Sequence, residues 1–295
     1  MAEEWQGRSK GTVTGHRIFV WLMHTFGINS AYGLLVFVAF YYCLFSPAST
    51  RSTYRYFRHG LGRSAVHSAT SVYWSYFTFG QSIIDKVAIS SGMQDRFTFH
   101  MDGVERILEL LKKGQGGILI SAHIGNFEIA EHFLGNLTEQ PVINLLTNDR
   151  ERSEIKEYLE KVTKKSNVKF ILYREDMGHV FEMSQALAAN ELICITGDRY
   201  SAGMKYLEAP FLGRKARFPA GPFMLGSRIR PEVLFVHVMK EPKGHYHLYA
   251  RQADVVRGDA MDLLGKYVKD LEGMVRKYPL QWFNYFDFWG QGTEA

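Results

Sequence analysis

The sequence predicts an α/β fold, a mixed central sheet covered by helices, with an apolar helical segment ahead of it. Three observations carry this. From residue 102 onward, short apolar runs alternate with amphipathic or charged stretches, as strands alternate with crossover helices. Two later runs, residues 233–239 and 245–250, flank a Lys-Glu-Pro-Lys-Gly-His turn and predict an antiparallel pair. Residues 18–50 contain no Asp, Glu, Lys or Arg.

Taken in order, residues 1–17 are polar and carry Arg8, Lys10 and Arg17. Two apolar pieces follow, 18–26 and 31–45, split by Gly27-Ile-Asn-Ser30. The second has 15 residues, short of the ~20 that cross a bilayer comfortably. Arg51, Arg55, Arg58 and Arg63 come next, so both flanks are basic and both ends are expected on the cytoplasmic side. A shallow helical hairpin or in-plane anchor satisfies length and charge together. A tilted single span and a buried core helix are the alternatives. A signal peptide fits poorly, because the run is too long and shows no clear small-residue cleavage site. The division expected is a membrane-associating segment, 1–50, and an α/β domain, 51–295.

Residues 51–100 read as two helices with recurrent aromatics, among them Tyr54, Tyr56, Phe57, Tyr73, Trp74, Tyr76, Phe77 and Phe79. These aromatics fit a core, an acyl-chain groove or an interfacial belt. Residues 102–113 form a helix with Val104, Ile107, Leu108 and Leu111 on one face. The glycines at 114, 116 and 117 make a turn. A phosphate loop would need Lys-Ser/Thr after them, which is missing. Strands are expected at 117–121, 141–146, 168–173 and 192–196, and helices at 126–137, 149–166, 178–190 and 260–277.

At 295 residues with 46% hydrophobic content, the chain buries a full core and is not disordered. Its net charge of +5 suits an anionic membrane or substrate, and no nucleic-acid-binding motif accompanies it. Cys43 and Cys194 each lie in apolar runs and read as reduced core residues. His245 and His247 alternate with aromatics, and a metal site there would need further ligands. No metal or redox cofactor is implied.

The stretch around which the chain is organised is GGILISAHIGNFEIAE, residues 116–131. A buried strand ends at His123, Gly125 permits a tight turn, and Asn126 is placed to cap a helix whose first turn holds Glu128. The His-x-x-x-x-Glu spacing also occurs at His100 and Glu105, so spacing alone decides nothing. Context favours His123, which directly follows an apolar strand. A histidine near neutral pKa can take a proton from an attacking hydroxyl or amine, and a carboxylate on its other nitrogen steadies the imidazolium. Gly197-Asp198-Arg199 also follows an apolar strand and is the second candidate; an arginine there suits a phosphate or carboxylate. Arg214, Lys215 and Arg217 form a basic cluster farther on.

The segment SAHIGNFEIA resembles the His-x-x-x-x-Glu block of the late acyltransferases of lipid A biosynthesis, and more distantly the His-x-x-x-x-Asp block of glycerolipid acyltransferases. Phe211, Gly213, Ala220, Gly221, Pro279, Gln281 and Trp282 fall where that family's pattern wants them. Asp198 matches a family aspartate, whereas Arg199 replaces the usual glutamine, and the usual basic tail is absent. The resemblance implies a glycerolipid-acyltransferase-like fold at the cytoplasmic face of a bacterial inner membrane. It implies acyl transfer from acyl carrier protein or acyl-CoA, as co-substrate, to a hydroxyl or amine of a membrane lipid. His123 would be the base, Glu128 its orienting partner, and Asp198, Arg199 and, weakly, Arg150 substrate-binding residues. A non-catalytic lipid-binding protein of the membrane surface is the alternative. An α/β-hydrolase would need a Gly-x-Ser-x-Gly elbow, which is missing.

Overall fold

The computed structural model describes residues 13–130, 141–147, 168–173, 178–200, 204–229 and 232–290; the side chain of Glu128 lies outside that description. The strands are β1 (Thr98–Asp102), β2 (Gly117–Ser121), β3 (Ile143–Thr147), β4 (Val168–Leu172), β5 (Leu192–Thr196), β6 (Tyr206–Phe211), β7 (Arg214–Pro219), β8 (Val233–Glu241) and β9 (His245–Gln252). Seven form one sheet in the order β1-β9-β8-β2-β5-β3-β4. The β8–β9 pair is antiparallel and every other pairing in that sheet is parallel. The expected mixed sheet is therefore present.

β2 lies at the centre, and all five of its residues are buried. Parallel strands covered on both faces read as continuous apolar runs, which is why Gly-Ile-Leu-Ile-Ser shows no polar alternation. Its side chains still alternate between two cores. Ile118 and Ile120 share one with Phe223, Tyr267 and Leu271, and Leu119 shares the other with Ile84, Ile107 and Leu110.

Helices α5 (Val104–Lys112), α6 (Gly178–Ala188), α7 (Ala220–Arg228) and α8 (Ala260–Lys277) cover the sheet; α5, α6 and α8 fall on spans expected from periodicity. Asp259 caps α8 by accepting from the amides of Met261 and Asp262 at 3.0 and 2.9 Å. Arg276 and Lys277 close its last turn, where cations suit the helix dipole.

Ahead of the sheet run α1 (Val13–Phe26), α2 (Ile28–Phe45), α3 (Pro47–Arg55) and α4 (Ala65–Ala88). α1 and α2 break at Gly27, whose φ is +83°. α2 recruits Ile28-Asn-Ser30 and so reaches 18 residues, about 27 Å at the helical rise. Its buried stripe, Ala31, Leu35 and Ala39, has a four-residue spacing and faces α4. Leu35 fits because α4 has Gly80 beneath it; a Cβ there would meet Leu35 at 2.2 Å. The rest of α2 is bare: Phe37 is 73% exposed, and Phe40, Tyr41, Leu44 and Phe45 are exposed with it. α2 is long and apolar enough to be a candidate span, with only 17% of it buried. The basic residues beyond it are partly used internally: Arg55 pairs with Asp287, and Arg63 packs over Phe57.

Several expectations are corrected. β1 was not foreseen, because Thr-Phe-His-Met-Asp alternates polar and apolar on an exposed edge strand. Residues 206–219 form an antiparallel hairpin that was not foreseen. Its two-residue turn, Leu212-Gly213, has positive φ at both positions, and a leucine hides that signal. Asn126 caps nothing with its side chain; the amide turns inward and donates to the Ser82 carbonyl at 2.9 Å. After it, Phe127–Ile129 forms a 3₁₀ turn. The predicted helix 149–166 and most of 126–137 lie outside the described residues.

Candidate active site

His123 stands two residues past the end of β2, and Asp198 two past the end of β5. Because these strands pair in parallel, Ser121 with Thr196, both segments emerge at the same edge. The backbones then lock: the Gly197 amide donates to the Ser121 carbonyl at 2.8 Å. His123's own amide donates to both Asp198 oxygens at 3.0 Å, and its Nδ1 lies 2.7 Å from Asp198 Oδ1. Trp282 Nε1 and Asn284 Nδ2 donate to Oδ2 at 3.1 and 3.2 Å. The acid is wholly buried and the imidazole side chain is 29% exposed.

Burial alone would raise the Asp198 pKa. The charge of and hydrogen bond from His123, the charge of Arg199 and the His123 amide outweigh it and hold the carboxyl at about 2. It is a fixed anion at neutral pH. It binds Nδ1 and leaves proton exchange to Nε2.

The turn after His123 is held from the C-terminal side. Gly125 donates its amide to the Gln281 carbonyl at 2.8 Å, and Phe283 donates to the His123 carbonyl at 2.8 Å. Only glycine fits at 125: φ is +65°, and a Cβ would lie 2.1 Å from the Val238 carbonyl oxygen. Residues 278–290 are in turn set in an aromatic bed. Trp282 packs on Tyr56, Phe211 and Phe288; from α4, Tyr76 stacks on Tyr285 and Phe79 packs at a tilt against Phe283.

Of the residues singled out in the sequence, His123 and Asp198 are brought into contact. Asp198 is the carboxylate at Nδ1; the side chain of Glu128, expected as the orienting partner, lies outside the description. Arg199 is adjacent, and its guanidinium donates to Asn284 Oδ1 at 2.9 Å and the Phe283 carbonyl at 2.6 Å. Arg150 lies outside the described residues. Lys215 and Arg217 are at 2.6 and 3.3 Å from Glu208 across the hairpin. His100 is on β1, edge-on to His247. Trp282 and Asn284 were missed as site residues; their signal was the alternation of Trp-Phe-Asn-Tyr, which sends positions 282 and 284 to one side. A cavity of about 460 Å³ lined by Tyr32, Lys240, Glu241 and Gln281 does not include His123 or Asp198.

The family model described as bacterial lipid A biosynthesis acyltransferase matches residues 75–289. The chain belongs to that family. It is an acyltransferase, and the match spans His123, Asp198, Trp282 and Asn284. No curated protein matches the acyltransferase. The geometry offers a buried anion beside an oriented imidazole, an arrangement that can serve as a general base.

Proposed function

We propose that the acyltransferase moves a fatty acyl group from acyl carrier protein or acyl-CoA to a hydroxyl, or an amine, of a lipid at the cytoplasmic face of a bacterial inner membrane. The observation that supports this most is the His123–Asp198 pair, with the acid buried and the base exposed. His123 Nε2 takes the acceptor's proton as its oxygen attacks the thioester carbonyl. The new C–O bond forms, the C–S bond breaks, and the thiolate leaves with the proton returned by the imidazolium. Asp198 keeps the ring in the tautomer that presents Nε2. Glu128, on the turn after His123, is proposed as a second carboxylate steadying the imidazolium. Arg199 acts on substrate position through residues 283 and 284, and Arg150 contributes a further contact.

Residues 1–50 are proposed to associate with the membrane and 51–295 to carry catalysis. The exposed apolar face of α2 supports this, as do the basic residues that flank it. Purified wild type and His123→Ala, Asp198→Asn and Glu128→Gln variants, assayed with acyl carrier protein and CoA thioesters and analysed by lipid mass spectrometry, test the reading. Loss of acyl transfer in His123→Ala with the fold intact is expected. Near-normal transfer in His123→Ala, with loss in His100→Ala, would move the site to the other copy of the motif.

A further inference from the structure

β8 and β9 turn over Pro242–Gly244, and the register sets Glu241 opposite His245. His247 is two residues farther along β9, so all three side chains share one face of the sheet. Glu241 Oε2 lies 4.0 Å from His245 Nε2, and Oε1 lies 3.7 Å from His247 Nδ1. One ligand atom from each residue falls within 4.8 Å of the other two. These separations exceed a hydrogen bond. They are close to the ~3.3 Å between neighbouring ligand atoms around a tetrahedral zinc with bonds of about 2.0–2.1 Å, so modest side-chain closure completes a shell.

Each of the three residues is positioned by a neighbour. Thr98 Oγ1 lies 2.7 Å from His245 Nδ1. The threonine hydroxyl can accept the Nδ1 proton, the tautomer that puts the lone pair on Nε2, the nitrogen that faces Glu241. Tyr278 donates its hydroxyl to Glu241 Oε1 at 2.6 Å. His247 is stacked flat on Tyr249 at 4.0 Å, which sets its ring plane. Its Nδ1 is the nitrogen that faces Glu241, and its Nε2 is buried on the other side of the ring with no hydrogen-bond partner among the described residues. Lys277 is the cation on this side, held 2.8 Å from the Tyr249 hydroxyl.

We propose that Glu241, His245 and His247 bind a divalent transition-metal ion of the zinc type, with the fourth position open to water. The sequence alone could not assemble this set, because the two histidines need the carboxylate that the hairpin folds back onto them. The site lies apart from His123, and Tyr278 joins it to the segment that carries Trp282 and Asn284. The bound ion therefore braces that segment and takes no part in proton transfer.

The test uses the full, untagged chain in detergent, stripped with a chelator and titrated with zinc by calorimetry and with cobalt by visible absorption. One ion per chain and an intense four-coordinate cobalt band are expected. His245→Ala, His247→Ala and Glu241→Gln should each weaken zinc at least ~10-fold, and Tyr278→Phe by ~10–100-fold. His100→Ala, beside His247 but outside the ligand set, should bind as wild type does. Absence of saturable binding by wild type overturns the proposal. So does unchanged affinity in His245→Ala and His247→Ala; Tyr278→Phe, which keeps all three ligands, decides the matter if a ligand variant fails to fold.

Discussion

The central sheet carries two histidine–aspartate pairs, both at 2.7 Å, and they are built in opposite senses. In His123–Asp198 the acid is 0% exposed and the ring 29%. In His237–Asp270, between β8 and α8, the ring is 0% exposed and the acid 21%. Contact distance does not distinguish them. What differs is which partner the fold withdraws from solvent. A buried acid facing an accessible imidazole keeps its charge and lends it to chemistry. A buried imidazole behind an accessible acid can reach no substrate and fastens a helix to a strand.

The sharpest break between the pairs is expected from the histidines. His123→Ala should lower turnover per folded molecule by ~10²–10⁴-fold, since a general base is lost, and should also cost stability, because the wholly buried Asp198 loses its partner. His237→Ala should keep turnover per folded molecule and cost roughly 1–3 kcal/mol of stability, measured by denaturant unfolding, by leaving Asp270 without its partner and opening a buried space. A catalytic loss in His237→Ala equal to that in His123→Ala would erase the distinction.

The acids should follow with a smaller contrast. Asp198→Asn is expected to lower turnover by ~10²-fold or more, because an amide stabilises the wrong tautomer of His123. Asp270→Asn should leave kinetics unchanged. The pH dependence of stability isolates Asp198 further. Its native pKa of about 2 lies below its unfolded value, so its contribution is complete above about pH 4. It is lost as pH falls from there through about 2, on the order of 2 kcal/mol, because the unfolded chain takes up the proton first. Acid titrations of wild type and Asp198→Asn, followed by circular dichroism, should converge toward pH 2.

The smallest effect concerns the arginine beside the buried acid. Arg199→Gln should fold and lose about 10-fold in kcat/KM, and Arg199→Lys should recover only part, because a lysine cannot serve Asn284 and the Phe283 carbonyl with one planar fork. Kinetics with donor and acceptor varied in turn measure this. Unchanged constants in Arg199→Gln would mean that Asp198 alone organises the segment.

Much of the sheet was legible because buried parallel strands leave contiguous apolar runs, and those at 117–121 and 192–196 have no other comfortable reading. His123 and Asp198 were both legible as residues, each just past such a run. Their contact was not. It spans 75 positions, and it depends on β5 lying beside β2, a strand order that periodicity does not encode. The hairpin at 206–219 was hidden by Leu212 in a conformation that glycine normally takes. Trp282 and Asn284 were hidden in an aromatic-rich tail whose packing partners, Tyr56 and Phe211, lie far away in sequence.

Tyr32, one turn into α2, donates its hydroxyl to the wholly buried carboxylate of Asp85 on α4. Lys240 and Tyr246 of the sheet bind the same carboxylate. Breaking a buried pair of this kind by removing one partner costs about 3–5 kcal/mol. α2 therefore cannot rotate about its own axis while the network holds; it is keyed to the sheet like a shaft in a slot. With its bare face in lipid, as proposed, the height and azimuth of His123 above the bilayer become constants of the protein. Acceptors would then be sorted by how far their reactive group stands clear of the acyl region, a form of selection by elevation that requires no pocket around the head group. Loosening the key with Tyr32→Phe should blur that selection before it slows the reaction, an outcome that product profiling of mixed acceptors can read.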